Sequence, residues 1–307
     1  NMRIKVWLVM TLFLCSSLSY VSAGDPEKLE DVGAVFGGAH VNANESGNFS
    51  MAFSEMPAIV EDYTATWCDN CVDVEHALND VEETNNMQQY HFHRFIGESE
   101  DPLGSEEGDE RWEDRYQMRL PPTVVFNGTI KQSGSVPASE SLQTDYNENL
   151  ANSLQIGVES SSLTYSIQAN NTNPVVTWNL VIDSSTLPDN SSVKSMIWVV
   201  EKLAHFPEGS NGEEYYHDSV RMVVDLGSAL SGTKEITLPD AFDGDDLEIH
   251  LIHEVVLPEP EGPAIPGDDQ DDVVDDDEDE SSLSSIGMLP ALAAIGLSAL
   301  TKKKKHQ

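Results

Sequence analysis

Residues 67–71 read Trp-Cys-Asp-Asn-Cys, between an apolar run at 58–65 and a helical pattern at 68–84 carried by Val72, Val74, Ala77, Leu78 and Val81. The chain here must therefore supply a strand, a tight turn and a helix in that order. Two cysteines on the first turn of a helix can close a small disulfide ring. The unpaired N–H groups and positive end of the helix favour a thiolate on the first of them. That assigns Cys68 as the attacking sulfur and Cys71 as the resolving thiol, joined as a Cys68–Cys71 disulfide in the oxidised form.

The same spacing is half of a zinc site. No second CxxC exists, and His76, His91 and His93 read as packed or solvated side chains, so no metal site is assigned. The third cysteine, Cys15, lies in an apolar run at 6–18.

Around the pair the pattern continues with a strand at 89–96 and a charged helix at 106–117 containing Trp112 and Tyr116. A hairpin follows at 123–132 around Asn127-Gly128, and a helix at 139–154. Short strands around 34–36 and 49–53 precede it. Alternating strands and helices imply a sheet covered by helices. Residues 158–257 change character: strands at 163–168, 175–182, 196–203, 219–226, 234–238 and 247–256 are separated by turns without helices, which suggests a β-sandwich. It carries no catalytic motif, so it is expected to be dispensable for chemistry at the cysteines.

Asp62, Trp67-Cys68-x-x-Cys71, Pro122-Thr123 and the Phe126-Asn127-Gly128 hairpin together resemble the thioredoxin superfamily over about residues 57–154. The resemblance implies an α/β thioredoxin-like domain at 24–157, followed by an all-β Ig-like sandwich at 158–257. It also implies dithiol–disulfide oxidoreduction with no bound cofactor. On the matching positions, Asp62 would be a buried acid moving a proton to or from Cys71, although the adjacent Glu61 competes for the inward face. Pro122, after a cis bond, would lie against the pair. Trp67, Pro121 and Thr123 would meet substrate. The sequence departs from the family in having Asp69-Asn70 between the cysteines, Val72 after them, and acidic Asp73 and Glu75 on the helix. With the following sandwich, the chain is similar to exported, surface-anchored thioredoxin-like proteins of archaea and bacteria.

The ends set the expected location. Arg3 and Lys5, the apolar run at 6–18 and Val21-Ser22-Ala23 have the layout of a secretory signal peptide at 1–23. Residues 258–285 are rich in Pro, Asp, Glu and Ser, with an unbroken acidic run at 275–280. This reads as an acidic disordered linker; the run lacks the spacing of an EF-hand. Residues 286–301 form a short apolar transmembrane or sorting helix, and 302–307 a basic cytoplasmic tail. A formal net charge of −38 opposes nucleic-acid binding. Five sequons, at Asn44, Asn48, Asn127, Asn170 and Asn190, suit an exposed protein.

The expected activity is an extracytoplasmic thiol–disulfide oxidoreductase, tethered to the membrane or cell surface. It would act on thiols and disulfides of exported proteins, with an unidentified redox partner. The alternative is a surface binding or adhesion module whose CxxC is a structural disulfide.

Overall fold

A computed structural model of the chain describes residues 24–168 and 173–258. The expected signal peptide, the sequon at Asn170, nearly all of the expected acidic linker, the apolar segment expected to form a helix at 286–301 and the basic tail fall outside the described residues. Among the described residues, no helix is long and apolar enough to cross a membrane.

The first half contains β1 (Glu27–Lys28), β2 (Val35–Asn42), β3 (Gly47–Ala52) and β4 (Ala58–Thr64), then α1 (Asp69–Glu82) and β5 (Met87–His93). It continues with α2 (Glu106–Tyr116), β6 (Thr123–Phe126), β7 (Ile130–Ser133) and α3 (Leu142–Leu150). The second half holds β8 (Val158–Ser166), β9 (Val175–Ile182), β10 (Ser192–His205), β11 (Tyr215–Gly227), β12 (Ser231–Glu235) and β13 (Leu247–Val256). Local chemistry explains the boundaries. Ser105 and Ser141 cap α2 and α3 by accepting the amides of Gly108 and Thr144. Asn127 and Gly128 both have positive φ, as the tight β6–β7 turn requires.

The strands assemble into a nine-stranded mixed sheet, in the order β1-β7-β6-β4-β5-β11-β10-β13-β2, and a four-stranded sheet, β12-β9-β8-β3. β5 runs parallel to both β4 and β11; the other pairs are antiparallel. This corrects the expected fold class. A thioredoxin-like α/β domain followed by a self-contained Ig-like sandwich is not the architecture. Strands predominate, and one sheet passes from the cysteine-bearing half into the second half through the β5–β11 pair. Conversely β2 and β3, which precede the cysteines in sequence, pair with β13 and β8. The thioredoxin resemblance is corrected with it, because its motifs occupy one half of a larger, β-rich fold. Periodicity locates a strand but does not choose its neighbour, and these pairings join segments from about 110 to about 220 residues apart.

The cores follow the same interleaving. Ile59, Tyr63, Tyr90, Phe92, Trp112 and Tyr116 of the first half pack with Met196, Trp198, Val200, Val220 and Ile252 of the second. Between the two sheets, Ala39 and Met51 join Leu163, Tyr165, Trp178, Ile197 and Ile249. On the opposite side of β4 and β6, Val74, Ala77, Leu78 and Val81 of α1 and Tyr146 of α3 cover Val60, Val124 and Phe126.

Candidate redox site

β4 ends at Thr64, and the turn Ala65-Thr66-Trp67 delivers Cys68 to the N-cap of α1, where its backbone is extended (φ −89°, ψ 97°). The Cys68 amide donates to the Ala65 carbonyl at 2.9 Å, and Cys71 donates to the Cys68 carbonyl at 3.1 Å. The two cysteines form a disulfide with Cα atoms 5.3 Å apart. Cys68 keeps 6% of its surface and Cys71 none. Asp69 and Asn70 between them are exposed.

Trp67 is half-buried. Its Nε1 donates to Glu98 Oε2 at 2.9 Å, and the Arg94 guanidinium lies 5.6 Å from its ring centre. The Pro121–Pro122 bond is cis, Pro121 is half-buried and Pro122 is buried. Thr123 pairs with Tyr63 of β4, so Pro122 stands at the end of the sheet where β4 turns toward Cys68. Thr123 itself is fully buried and its hydroxyl donates to Leu120 O at 2.7 Å, which turns it inward rather than toward a partner.

Glu61 and Asp62 are both completely buried, because helices cover both faces of β4. Glu61 accepts from Arg111 Nη1 at 2.5 Å and from the Tyr116 hydroxyl at 2.6 Å. Asp62 lies on the α1 side, where Oδ2 accepts from His91 Nδ1 at 3.1 Å. His91 is its register neighbour on β5. Burial alone would lower the His91 pKa, but the hydrogen bond and charge of Asp62, with Glu75 beyond, raise it to about 9. Glu75, one turn after Cys71 on α1, accepts from the Thr64 hydroxyl at 2.7 Å, and burial pushes its carboxyl up.

The motif is braced from outside, by Asp101 in the connection between β5 and α2 and by the tip of the β10–β11 hairpin. The Thr66 amide donates to Asp101 Oδ2 at 2.8 Å, and the same carboxylate accepts from His93 Nδ1 at 2.8 Å. The Thr66 carbonyl accepts the amides of Ser210 and Asn211, at 3.0 and 3.2 Å, from the tip of the β10–β11 hairpin. His76 on α1 meets Glu213 of that tip at 3.5 Å. The only advance signal was a Gly- and Asn-bearing turn between two strong strand patterns, which says nothing of where the tip docks.

Asn44, Asn48 and Asn190 are exposed, as sugar acceptors must be. Asn127 is buried, and its Oδ1 accepts the Ile59 amide at 2.9 Å, so its carboxamide locks the turn instead.

No known family and no curated protein matches this sequence. Among solved structures, HBP35 of Porphyromonas gingivalis matches with a TM-score of 0.43 and 14% identity, over 65% of this chain and 63% of that one. A structural-genomics protein of Agrobacterium tumefaciens matches with a TM-score of 0.36 and 15% identity, over 58% of this chain and 77% of that one. At these values neither assigns a family or a function.

Proposed function

We propose that the chain is a thiol–disulfide oxidoreductase acting outside the cytoplasm, with Cys68 exchanging with partner sulfurs and Cys71 resolving. The observation that carries this reading is the unequal burial of the two bonded cysteines at one helix N-terminus: Cys68 keeps a small exposed remnant and Cys71 none. A thiolate at Cys68 is favoured by the helix end.

Starting from the dithiol, the Cys68 thiolate attacks a disulfide of an exported protein. That S–S bond breaks, one partner sulfur leaves as a thiolate and takes a proton, and a mixed disulfide forms. Cys71 then loses its proton and attacks Cys68 Sγ. The second partner sulfur is expelled and the Cys68–Cys71 bond closes. The partner disulfide gains the two electrons that the pair loses. The reverse sequence oxidises a partner dithiol. The exchange itself calls for no cofactor, and a separate redox partner must return the pair to its starting state. The apolar segment at 286–301 would tether the chain, and the net charge of −38 sets nucleic acid aside as a partner.

The test is limited alkylation of the reduced full-length protein, followed by mapping of the labelled cysteine. Cys68 should be modified first, and Cys71→Ser should accumulate mixed disulfides that Cys68→Ser does not. Preferential labelling of Cys71, or no trapped species in Cys71→Ser, would overturn the reading.

A second reading, a surface binding or adhesion module with a structural disulfide, is favoured by the bracing of Thr66 from two sides. It requires a pair that resists reduction by an excess of small dithiol in the folded protein.

A further inference from the structure

Asp62, Glu75 and His91 converge from β4, α1 and β5, each offering a ligand atom within 4.8 Å of the others. Two carboxylates face one imidazole; Asp62 and His91 are buried and Glu75 is half-buried. One group in it is unsatisfied. Asp62 is completely buried, its Oδ2 is bonded to His91, and its Oδ1 has no hydrogen-bond partner. A buried carboxylate oxygen without a partner is costly, and the missing partner at such a site must be a donor or a cation.

We propose that Asp62, Glu75 and His91 form a binding site for a divalent transition-metal cation of the zinc type, one helical turn beyond Cys71. The site is additional to the redox reading and does not depend on it. It also departs from the expectation that His91 is only a packed or solvated side chain and that no metal is held.

The donor set selects the class of ion. Calcium takes six to eight oxygen ligands, which three side chains cannot supply, whereas one imidazole with two carboxylates suits zinc and its neighbours. Ligand atoms on a tetrahedral zinc lie about 3.4 Å apart, given metal–ligand distances near 2.0–2.1 Å. Asp62 Oδ2 and His91 Nδ1, hydrogen-bonded at 3.1 Å, are already near that spacing, so the ion would displace the proton between them, with Oδ1 available as a second donor. Glu75 has a flexible side chain and the most open position of the three, so it can close the remaining gap by a rotamer change. With three protein ligands, a fourth position is left for water entering beside Glu75.

The test uses the full-length protein in its oxidised form, so that the disulfide removes both thiolates as ligands. Cobalt(II) should bind once per chain with the intense visible absorption of a four- or five-coordinate site. One equivalent of zinc should displace it. Glu75→Gln and His91→Gln should each weaken zinc binding by about tenfold or more. X-ray absorption of the unaltered zinc-loaded protein should show one imidazole in an otherwise oxygen shell, which keeps the test independent of how the variants fold. Absence of stoichiometric binding would show that a proton completes the cluster and would overturn the proposal. So would a weakly absorbing octahedral cobalt spectrum, or zinc binding unchanged in both variants, since either reports only surface carboxylates. None of these outcomes bears on the order of alkylation of Cys68 and Cys71, so the two readings fail separately.

Discussion

The carbonyl of Thr66 accepts the amide of Ser210 at 3.0 Å, and this bond ties the residue two places before Cys68 to the tip of the β10–β11 hairpin. The Tyr216 hydroxyl adds a 3.4 Å contact to the same oxygen, and the Tyr216 ring meets His93 edge-on, with centroids 5.7 Å apart. The cysteine turn is thus held by a strand pair that joins the sheet from the far half of the sequence. An exchange site that must present one sulfur and hide the other needs a rigid turn, and the hairpin contributes to that rigidity.

The first prediction is that residues 24–157 alone do not fold to a native state. Their core would lose Met196, Trp198, Val200, Val220 and Ile252, all buried against it in the intact chain. Removing even one large buried side chain costs about 3–5 kcal/mol, and the fragment loses five. Near-UV circular dichroism of the fragment should lack the signal of ordered aromatics. A cooperative unfolding transition with intact alkylation selectivity would refute this.

The hairpin tip also yields a single-residue test. A Cβ on Gly209 would lie 2.2 Å from the Tyr216 hydroxyl and 3.1 Å from the Thr66 carbonyl. Tyr216 is buried and its ring cannot bend away, so Gly209→Ala must displace the tip. The expected cost is about 1–3 kcal/mol, accompanied by faster alkylation of Cys68 in the reduced protein. Unchanged stability and an unchanged labelling rate would mean that the tip does not constrain the turn.

Arg111 joins three elements. It donates to Glu61 of β4 at 2.5 Å and, through Nε, to Glu254 of β13 at 2.9 Å, while its guanidinium lies 4.6 Å from the Trp198 ring centre. Burial alone would raise the Glu254 pKa, but the charges of Arg111 and Arg115 hold it below the usual carboxylate range. Its contribution is therefore present above the unfolded pKa near 4.3 and lost as pH falls below that. Arg111→Met leaves buried carboxylates uncompensated and should cost about 3–5 kcal/mol at neutral pH. Denaturant titrations should show that penalty shrinking toward pH 4, where Glu254 can take a proton. A penalty that does not vary with pH would contradict the assignment.

His253 works with the opposite charge. Its ring lies between Ser161 of β8, at 2.8 Å, and Ser195 of β10, at 2.9 Å, linking the two sheets, and burial lowers its pKa to about 3. The folded state holds the neutral ring, so this contribution is present above the unfolded pKa near 6.5. It is lost at about 1.4 kcal/mol per pH unit as pH falls from there toward the folded value. His253→Gln removes that dependence. Its destabilisation relative to the parent should be smaller at pH 5 than at pH 7.5 by about 2 kcal/mol. Denaturation midpoints at the two pH values measure it, and equal penalties would refute it.

Much of this was legible locally and little of it globally. The strand before Cys68, the helix after it and the Asn127-Gly128 turn follow from apolar spacing and turn chemistry, and they lie where those patterns put them. Alternation along β4 allowed only one of Glu61 and Asp62 to face a core, yet both are buried, since α1 and α2 cover opposite faces. That β2 reaches across to β13, and that a turn near residue 210 holds Thr66, depends on contacts between residues far apart in sequence. No spacing rule encodes such contacts. His91 is the intermediate case, a strand histidine whose partner could be named only once the β4–β5 register was known.

The last prediction concerns the poise of the Cys68–Cys71 pair. Asp69 is exposed on the first turn of α1, directly after Cys68. The helix end stabilises a Cys68 thiolate, and a neighbouring carboxylate opposes it. A less stable thiolate disfavours the reduced form and makes the disulfide harder to reduce. The potential should therefore lie below about −200 mV, well short of the roughly −120 mV of strongly oxidising pairs. Asp69→Asn removes the opposing charge, so it should lower the Cys68 thiol pKa and raise the potential by roughly 10–20 mV, as fits one exposed charge. Added salt should shrink the difference, because the interaction runs through solvent. Equilibration with glutathione buffers, read by mass spectrometry after acid quenching, measures both potentials. A parent value above about −150 mV, or a shift of opposite sign in Asp69→Asn, would show that the helix end and not Asp69 sets the poise.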